Sequence, residues 1–215
     1  KEYDNLDEVL PRLKAYRTGK VVEKVTCREK SVMKRDGYKV ALLDFGAKRN
    51  IARSLYERGC EVTIYPADTK AEEIIASNPD GIMLSNGPGD PKDCGPIIDE
   101  VRKLYESDIP IFAICLGHQL MALATGADTY KLKYGHRGGN HPVKDHGYAV
   151  DVNSLNPAVA TAAFENVNDK TNEGLKYTGK NIFTVQFHPE ACPGPQDSGY
   201  LFDRFIRMME VKKNA

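Results

Sequence analysis

The chain has 215 residues, of which 41% are hydrophobic and 28% charged, and 30 basic side chains balance 30 acidic ones. This length can bury a substantial core, and a formal charge of zero gives no reason to expect binding to nucleic acid or anionic lipid. No run approaches the roughly 18 apolar residues that span a bilayer, and the first residues lack the apolar core of a signal peptide. We therefore expect a cytoplasmic protein with no membrane or nucleic-acid partner.

Five short apolar runs, rich in branched residues and bounded by turn residues, predict buried strands. These runs cover residues 38–45, 61–67, 81–87, 109–115 and 181–187. Helices are predicted between and after the first four, at 47–58, 70–77, 95–107 and 117–125. Such alternation predicts a parallel sheet covered by helices on both faces, in which binding sites form beyond the carboxyl ends of the strands.

The pattern changes at about residue 127, where short segments with many Gly, Pro and Asn predict a smaller antiparallel insertion before the sheet resumes at 181. Apolar residues at helical spacing predict a terminal helix from about Asp197 to Met209. Residues 1–36 are charged and lack the strand-helix alternation. We predict that they form the tail of a preceding domain or a linker, with 28–35 solvated, and that the main domain covers 37–213.

Cysteine and histidine usage gives little sign of a metal centre. The five cysteines are an odd number without a CxxC pair, and the five histidines form no HExxH motif. This pattern argues against a disulfide framework and against a zinc site. We therefore expect no bound metal.

A candidate nucleophile lies in the stretch AICLGHQ, where Cys115 joins the fourth predicted strand to the next helix. A sharp turn of this kind needs small neighbours, and Ala113 and Gly117 lie two residues away on either side. The first turn of the helix places partial positive charge beside the sulfur, which favours thiolate over thiol. The alternative interpretation is an ordinary buried core cysteine.

A thiol nucleophile needs a base and a group that orients the base. The stretch VQFHPEA places His188 directly after the last predicted strand, at the same sheet edge as Cys115, and Glu190 follows two residues later. A structural histidine is the alternative for His188 taken alone. The stretch LSNGPGDP at a third strand end offers Gly87 and Gly89, whose backbone can approach an oxyanion, or forms an ordinary turn.

Three motifs in this order, NGPGDP, CLGHQ and HPE, resemble the class I, triad-type glutamine amidotransferases over roughly residues 37–213. Within that family, GHRGGNHPVKD and HPEACPGPQD are most similar to the small subunits of carbamoyl phosphate synthases, and residues 1–36 resemble the end of their amino-terminal domain. The expected fold is accordingly a flavodoxin-like, mostly parallel sheet with helices on both faces and a smaller antiparallel insertion.

The resemblance implies that glutamine is hydrolysed to glutamate and ammonia through a γ-glutamyl thioester on Cys115. His188 would act as base and then acid, and Glu190 would orient it. Ammonia would pass to a large synthetase subunit that carries ATP and Mg, and this chain, which lacks a GxxxxGK[ST] motif, is expected to hold no cofactor. The resemblance also implies contacts to glutamine or its oxyanion from Gly87, Gly89, Leu116, Gln119, Gly147 and Tyr148.

The sequence departs from the family pattern before the stretch HGY. Members usually have about a dozen further residues there that end in Gln-Asn, whereas this chain runs from Asp145 directly to His146. A carboxylate cannot donate the hydrogen bond that the Asn amide gives to glutamine. Three other functions therefore stay open: the glutaminase of another amidotransferase such as anthranilate synthase, a catalytically idle docking module, and a cysteine peptidase.

Overall fold

The computed structural model describes residues 6–15, 19–136, 146–190 and 196–214. In this part of the chain the helices are α1 (Leu6–Ala15), α2 (Val22–Val25), α3 (Arg49–Glu57), α4 (Ala71–Ala76), α5 (Gly95–Glu106), α6 (Leu116–Ala124) and α7 (Tyr200–Lys213). The strands are β1 (Ser31–Met33), β2 (Lys39–Asp44), β3 (Glu61–Pro66), β4 (Gly81–Leu84), β5 (Ile111–Ile114), β6 (Thr129–His136), β7 (His146–Val150), β8 (Ala160–Glu165), β9 (Asn172–Tyr177) and β10 (Ile182–Val185).

The main sheet has the strand order β1-β3-β2-β4-β5-β10-β9-β8. Its five central strands, β3, β2, β4, β5 and β10, pair in parallel, and they are the five strands that the apolar runs predict. Taken alone, these five strands have the flavodoxin-like order 2-1-3-4-5. The prediction of a flavodoxin-like, mostly parallel sheet is therefore confirmed.

Helices cover both faces of the sheet, because alternate residues of each central strand point to opposite sides. One core layer packs α4, α5 and α6 against residues such as Leu43 and Ala113. The other packs α3 and α7 against residues such as Leu42 and Phe112. Phe112 stacks on Phe183 of the neighbouring strand with ring centroids 4.4 Å apart. These packed strands fix the edge at which the predicted site residues lie.

The antiparallel segment that follows α6 differs in part from the prediction. Strands β6 and β7 form a separate two-stranded sheet, as an insertion would. Strands β8 and β9 instead extend the main sheet, since β9 pairs antiparallel with β10 and β8 pairs with β9. Short, polar strands of this kind carry no mark in the sequence of the sheet to which they belong, because the partner supplies the pairing.

The residues before position 36 pack on the domain instead of standing apart from it. Strand β1 pairs antiparallel with β3, so the prediction of a solvated linker at 28–35 was wrong at residues 31–33. Val22 of α2 is only 2% exposed and belongs to the same core layer as α4 to α6. The Cys27 amide donates to the Asp44 carboxylate at 2.7 Å. The domain boundary at residue 36 itself stays a prediction.

None of the helices in the described ranges is both long enough and apolar enough to cross a membrane. Within the same ranges, no group of three or more His, Cys, Asp and Glu side chains could hold a metal ion.

The two valines of α2 test whether this amino-terminal segment is part of the folded domain. Val22→Ala should lower the free energy of unfolding by about 1–2 kcal/mol, because it empties space in the core. Val25 is 44% exposed, so Val25→Ala should change it by less than about 0.5 kcal/mol. Urea unfolding followed by circular dichroism measures both, and equal effects would contradict the packing of α2 on the core.

Candidate active site

Cys115 occupies a strained turn between β5 and α6. Its φ of 53° and ψ of −104° are values that residues with a side chain rarely adopt, and it is the N-cap of α6. The Cys115 amide donates to the Val185 carbonyl at 2.8 Å, which ties the turn to the end of β10. The predicted strand-to-helix elbow is therefore present, and the sulfur lies at the carboxyl edge of the sheet.

Gly117 allows this turn to press against the neighbouring strand. A side chain at this position would place its first carbon 2.5 Å from the Leu84 carbonyl oxygen, which is closer than real carbon atoms approach. The Gly117 amide also donates to the Ser85 carbonyl at 3.0 Å. The elbow is thus held by β10 on one side and by the end of β4 on the other, and the fold requires Gly at position 117.

His188 and Glu190 follow β10 and form the rest of the predicted triad. The Nδ1 atom of His188 lies 2.7 Å from Oε1 of Glu190, and both side chains are almost fully buried. The His188 side chain is also within hydrogen-bonding reach of Cys115. The Asn50 side chain of α3 donates to the Glu190 carbonyl at 3.3 Å. Sulfur, imidazole and carboxylate therefore form one continuous chain of contacts.

The charge on this triad follows from the surroundings of His188. Burial by itself would lower the pKa of the imidazole, but hydrogen bonds and charge interactions with Cys115 and Glu190 outweigh it and raise the pKa to about 9. The geometry thus favours an imidazolium facing a thiolate at neutral pH. Burial has the opposite result at Cys60 and Cys94, where it raises the pKa of each thiol to about 11.

The residues predicted to surround the oxyanion lie around the elbow to different degrees. Gly87 is pressed between the Phe45 carbonyl and the Leu116 side chain, where a side chain of its own would clash. Leu116 is the first residue of α6, and its amide belongs to the turn that has no acceptor within the helix. Gly89 has a φ of 99° and faces Val21 instead. The contribution of all three to an oxyanion site stays a prediction.

Two of the residues predicted to bind glutamine are joined to each other. The Gln119 amide nitrogen donates to the Tyr148 carbonyl at 2.9 Å and to Oε1 of Gln186 at 2.8 Å. Gly147, which precedes Tyr148 in β7, has no atom within 4 Å of the place where a side chain would begin, so its backbone is open to an approaching group. Glutamine binding at these positions stays a prediction.

Gln186 was missed from the sequence, as was a set of buried polar side chains beside it. His118 is fully buried, and its Nδ1 lies 2.7 Å from the Thr184 hydroxyl. Burial and then the charge of His146 lower the pKa of His118 to about 3, so it packs as a neutral imidazole. Thr184, Gln186 and His188 are polar at every second position, and this alternation is the signal that could have found them.

Some predicted features fall outside the described residues. These are Asp145 with the stretch before it, and the segment 191–195, which includes Cys192.

The comparisons with known proteins agree with this geometry. The family model described as "Glutamine amidotransferase class-I" matches residues 41–208. The chain belongs to the class-I glutamine amidotransferase family. A crystal structure from Thermoplasma acidophilum, provisionally described as one chain of a GMP synthase, has a TM-score of 0.70 over 84% of this chain and 98% of its own. At 23% identity, this likeness shows the shared fold alone.

Curated relatives carry the name carbamoyl phosphate synthase small chain. One from Clostridium perfringens is 47% identical over 94% of this chain and 60% of its own length. One from Photorhabdus laumondii is 53% identical over 80% of this chain and 48% of its own, and one from Listeria monocytogenes is 46% identical over 100% of this chain and 62% of its own. The chain thus spans about half to three-fifths of the length of these relatives.

The alignment with the Listeria monocytogenes relative runs over 227 positions, although this chain has 215 residues. About a dozen positions of that relative therefore have no counterpart here. This agrees in size with the residues that the family pattern has before His146 and this chain lacks.

The coupling between sulfur and imidazole can be measured directly. Cys115→Ala removes one of the partners that raise the pKa of His188, while the burial that lowers it remains. We expect the imidazole to titrate near pH 9 in the unmodified chain and clearly lower in Cys115→Ala, as followed by NMR of labelled histidine. Cys94→Ala should leave the value unchanged. The same His188 pKa in all three proteins would contradict the proposed contact.

Proposed function

We propose that this chain hydrolyses glutamine to glutamate and ammonia through a γ-glutamyl thioester on Cys115, and that it supplies the ammonia to a large synthetase subunit for carbamoyl phosphate synthesis. The observation that carries the proposal is the contact chain from the Cys115 sulfur through the His188 imidazole to the Glu190 carboxylate. Membership of the amidotransferase family supports glutamine as the substrate.

The first half of the reaction forms the thioester. With the proton of Cys115 held on His188, the thiolate attacks the side-chain amide carbon of glutamine and forms a tetrahedral oxyanion. Backbone N–H groups at Leu116 and Gly87 lie beside the elbow and are suited to stabilise the negative oxygen. His188 then gives its proton to the amide nitrogen, the carbon–nitrogen bond breaks, and ammonia leaves.

The second half returns the enzyme to its starting state. His188, now neutral, takes a proton from water, and the hydroxide attacks the thioester carbon. The carbon–sulfur bond breaks, glutamate leaves, and the thiolate faces the imidazolium again. Glu190 holds the Nδ1 side of the ring at 2.7 Å throughout, so Nε2 is the atom that moves protons.

The names of the relatives support the choice of partner. They are small chains of carbamoyl phosphate synthases, and a small chain implies a large one that consumes ammonia. We place ATP and Mg on that partner, and we place both chains in the cytoplasm. The free thiols of Cys27, Cys60, Cys94 and Cys115 agree with a reducing compartment.

The substitution Cys115→Ser tests the thioester. Because a serine hydroxyl is a far weaker nucleophile than a thiolate, glutamate release from glutamine should fall by at least about a thousandfold, with or without the large subunit. Cys94→Ser is the matched control, since Cys94 is also 6% exposed, and it should keep full activity.

Labelling with a chloroketone analogue of glutamine separates the remaining functions. Modification of Cys115, and not of Cys94 or Cys192, would support a glutamine-shaped site. Turnover that survives in Cys115→Ser would eliminate thioester catalysis. An unmodified chain that neither hydrolyses glutamine nor reacts with the analogue, alone or with the large subunit, would instead support an idle docking module, for which the dozen positions absent relative to Listeria give a reason.

A further inference from the structure

We propose that Gln186 is a positioning residue that orients the Gln119 side chain for the α-amino group of glutamine. This inference rests on the proposed function, because it concerns how that substrate is recognised. Gln186 follows β10, is 0% exposed, and places its Oε1 atom 2.8 Å from the Gln119 amide nitrogen. This hydrogen bond joins it to the predicted glutamine site, so its effect acts through Gln119.

The two contacts of Gln119 determine which way its amide faces. The Tyr148 carbonyl can only accept a hydrogen bond, so the atom of Gln119 that lies 2.9 Å from it must be the nitrogen. Gln186 supplies the second acceptor, and together they use both N–H groups of that amide. The oxygen of Gln119 is then the atom left for a ligand, and an acceptor oxygen suits a substrate ammonium group.

The Tyr148 carbonyl alone would not fix this orientation. It already accepts from Nδ1 of His146 at 2.9 Å as well as from Gln119. Without Gln186, one N–H of a side chain that is only 3% exposed would lose its acceptor. Rotation of the amide to find another partner would then turn the oxygen away from the ligand.

Gln186 is well placed to keep recognition and chemistry in register. Its backbone amide donates to the Glu173 carbonyl at 2.9 Å, which holds it to β9. The residue before it, Val185, accepts the Cys115 amide, and His188 follows two residues later. One short segment, 185–188, therefore positions the nucleophile, the base and the side chain that orients the substrate contact.

The test compares Gln186→Met, which keeps size but removes the acceptor, with Thr184→Val. Thr184 is equally buried on the same strand, but its hydroxyl contacts His118 and not a substrate-binding side chain. We expect Gln186→Met to raise KM for glutamine about tenfold with kcat within about threefold, as the loss of one buried hydrogen bond would do. Thr184→Val should leave KM unchanged.

Two further measurements separate positioning from a general structural role. In Gln186→Met, labelling of Cys115 by the chloroketone analogue should slow about tenfold, while labelling by iodoacetamide, which has no α-amino group, should keep its rate. In the double variant Gln119→Ala/Gln186→Met, KM should equal that of Gln119→Ala alone, because Gln186 acts through Gln119.

The proposal is overturned by an unchanged KM, by equal slowing of both reagents, or by additive effects in the double variant. These results would leave the proposed function standing. A parent chain that lacks turnover and prefers neither reagent would instead contradict the proposed function together with this inference.

Discussion

The site depends on the turn at Cys115, whose backbone adopts a positive φ that costs of the order of 1–3 kcal/mol for a residue with a side chain. That strain persists because the turn is fixed from both sides. Val185 accepts its amide, and Gly117 bonds to Ser85 where only a glycine fits. The same contacts that enforce the strain hold the sulfur beside the imidazole. Packing of the parallel strands therefore produces the nucleophile as a consequence of the fold.

Burial then decides how the thiols of this chain differ. Cys60 and Cys94 lie among apolar groups, and their raised pKa keeps them protonated and unreactive. Cys115 is nearly as buried, but it faces an imidazole whose own pKa is raised by the sulfur and by Glu190. Two opposite charges that stabilise each other out of water can persist where either alone could not. A reactive thiol and inert thiols thus coexist in one reducing protein.

Much of this arrangement could be predicted from the sequence, because buried strands and an elbow have local signatures. The five central strands, the five larger helices and the positions of Cys115, His188 and Glu190 at one edge follow from apolar runs and spacing. The pairing of β1, β8 and β9 could not, since polar edge strands depend on their neighbours. Gln186 was also hidden, because its importance lies in a contact with α6 that is 67 residues away along the chain.

The central claim is that the Cys115 sulfur attacks glutamine and carries its acyl group. Rapid mixing with glutamine, an acid quench and mass spectrometry of the Cys115 peptide would measure this most directly. The account predicts a transient mass increase of one glutamyl group on Cys115, which hydroxylamine removes and which Cys94→Ser leaves unchanged. Glutamate formed at full rate with no adduct at Cys115 at any quench time would contradict it.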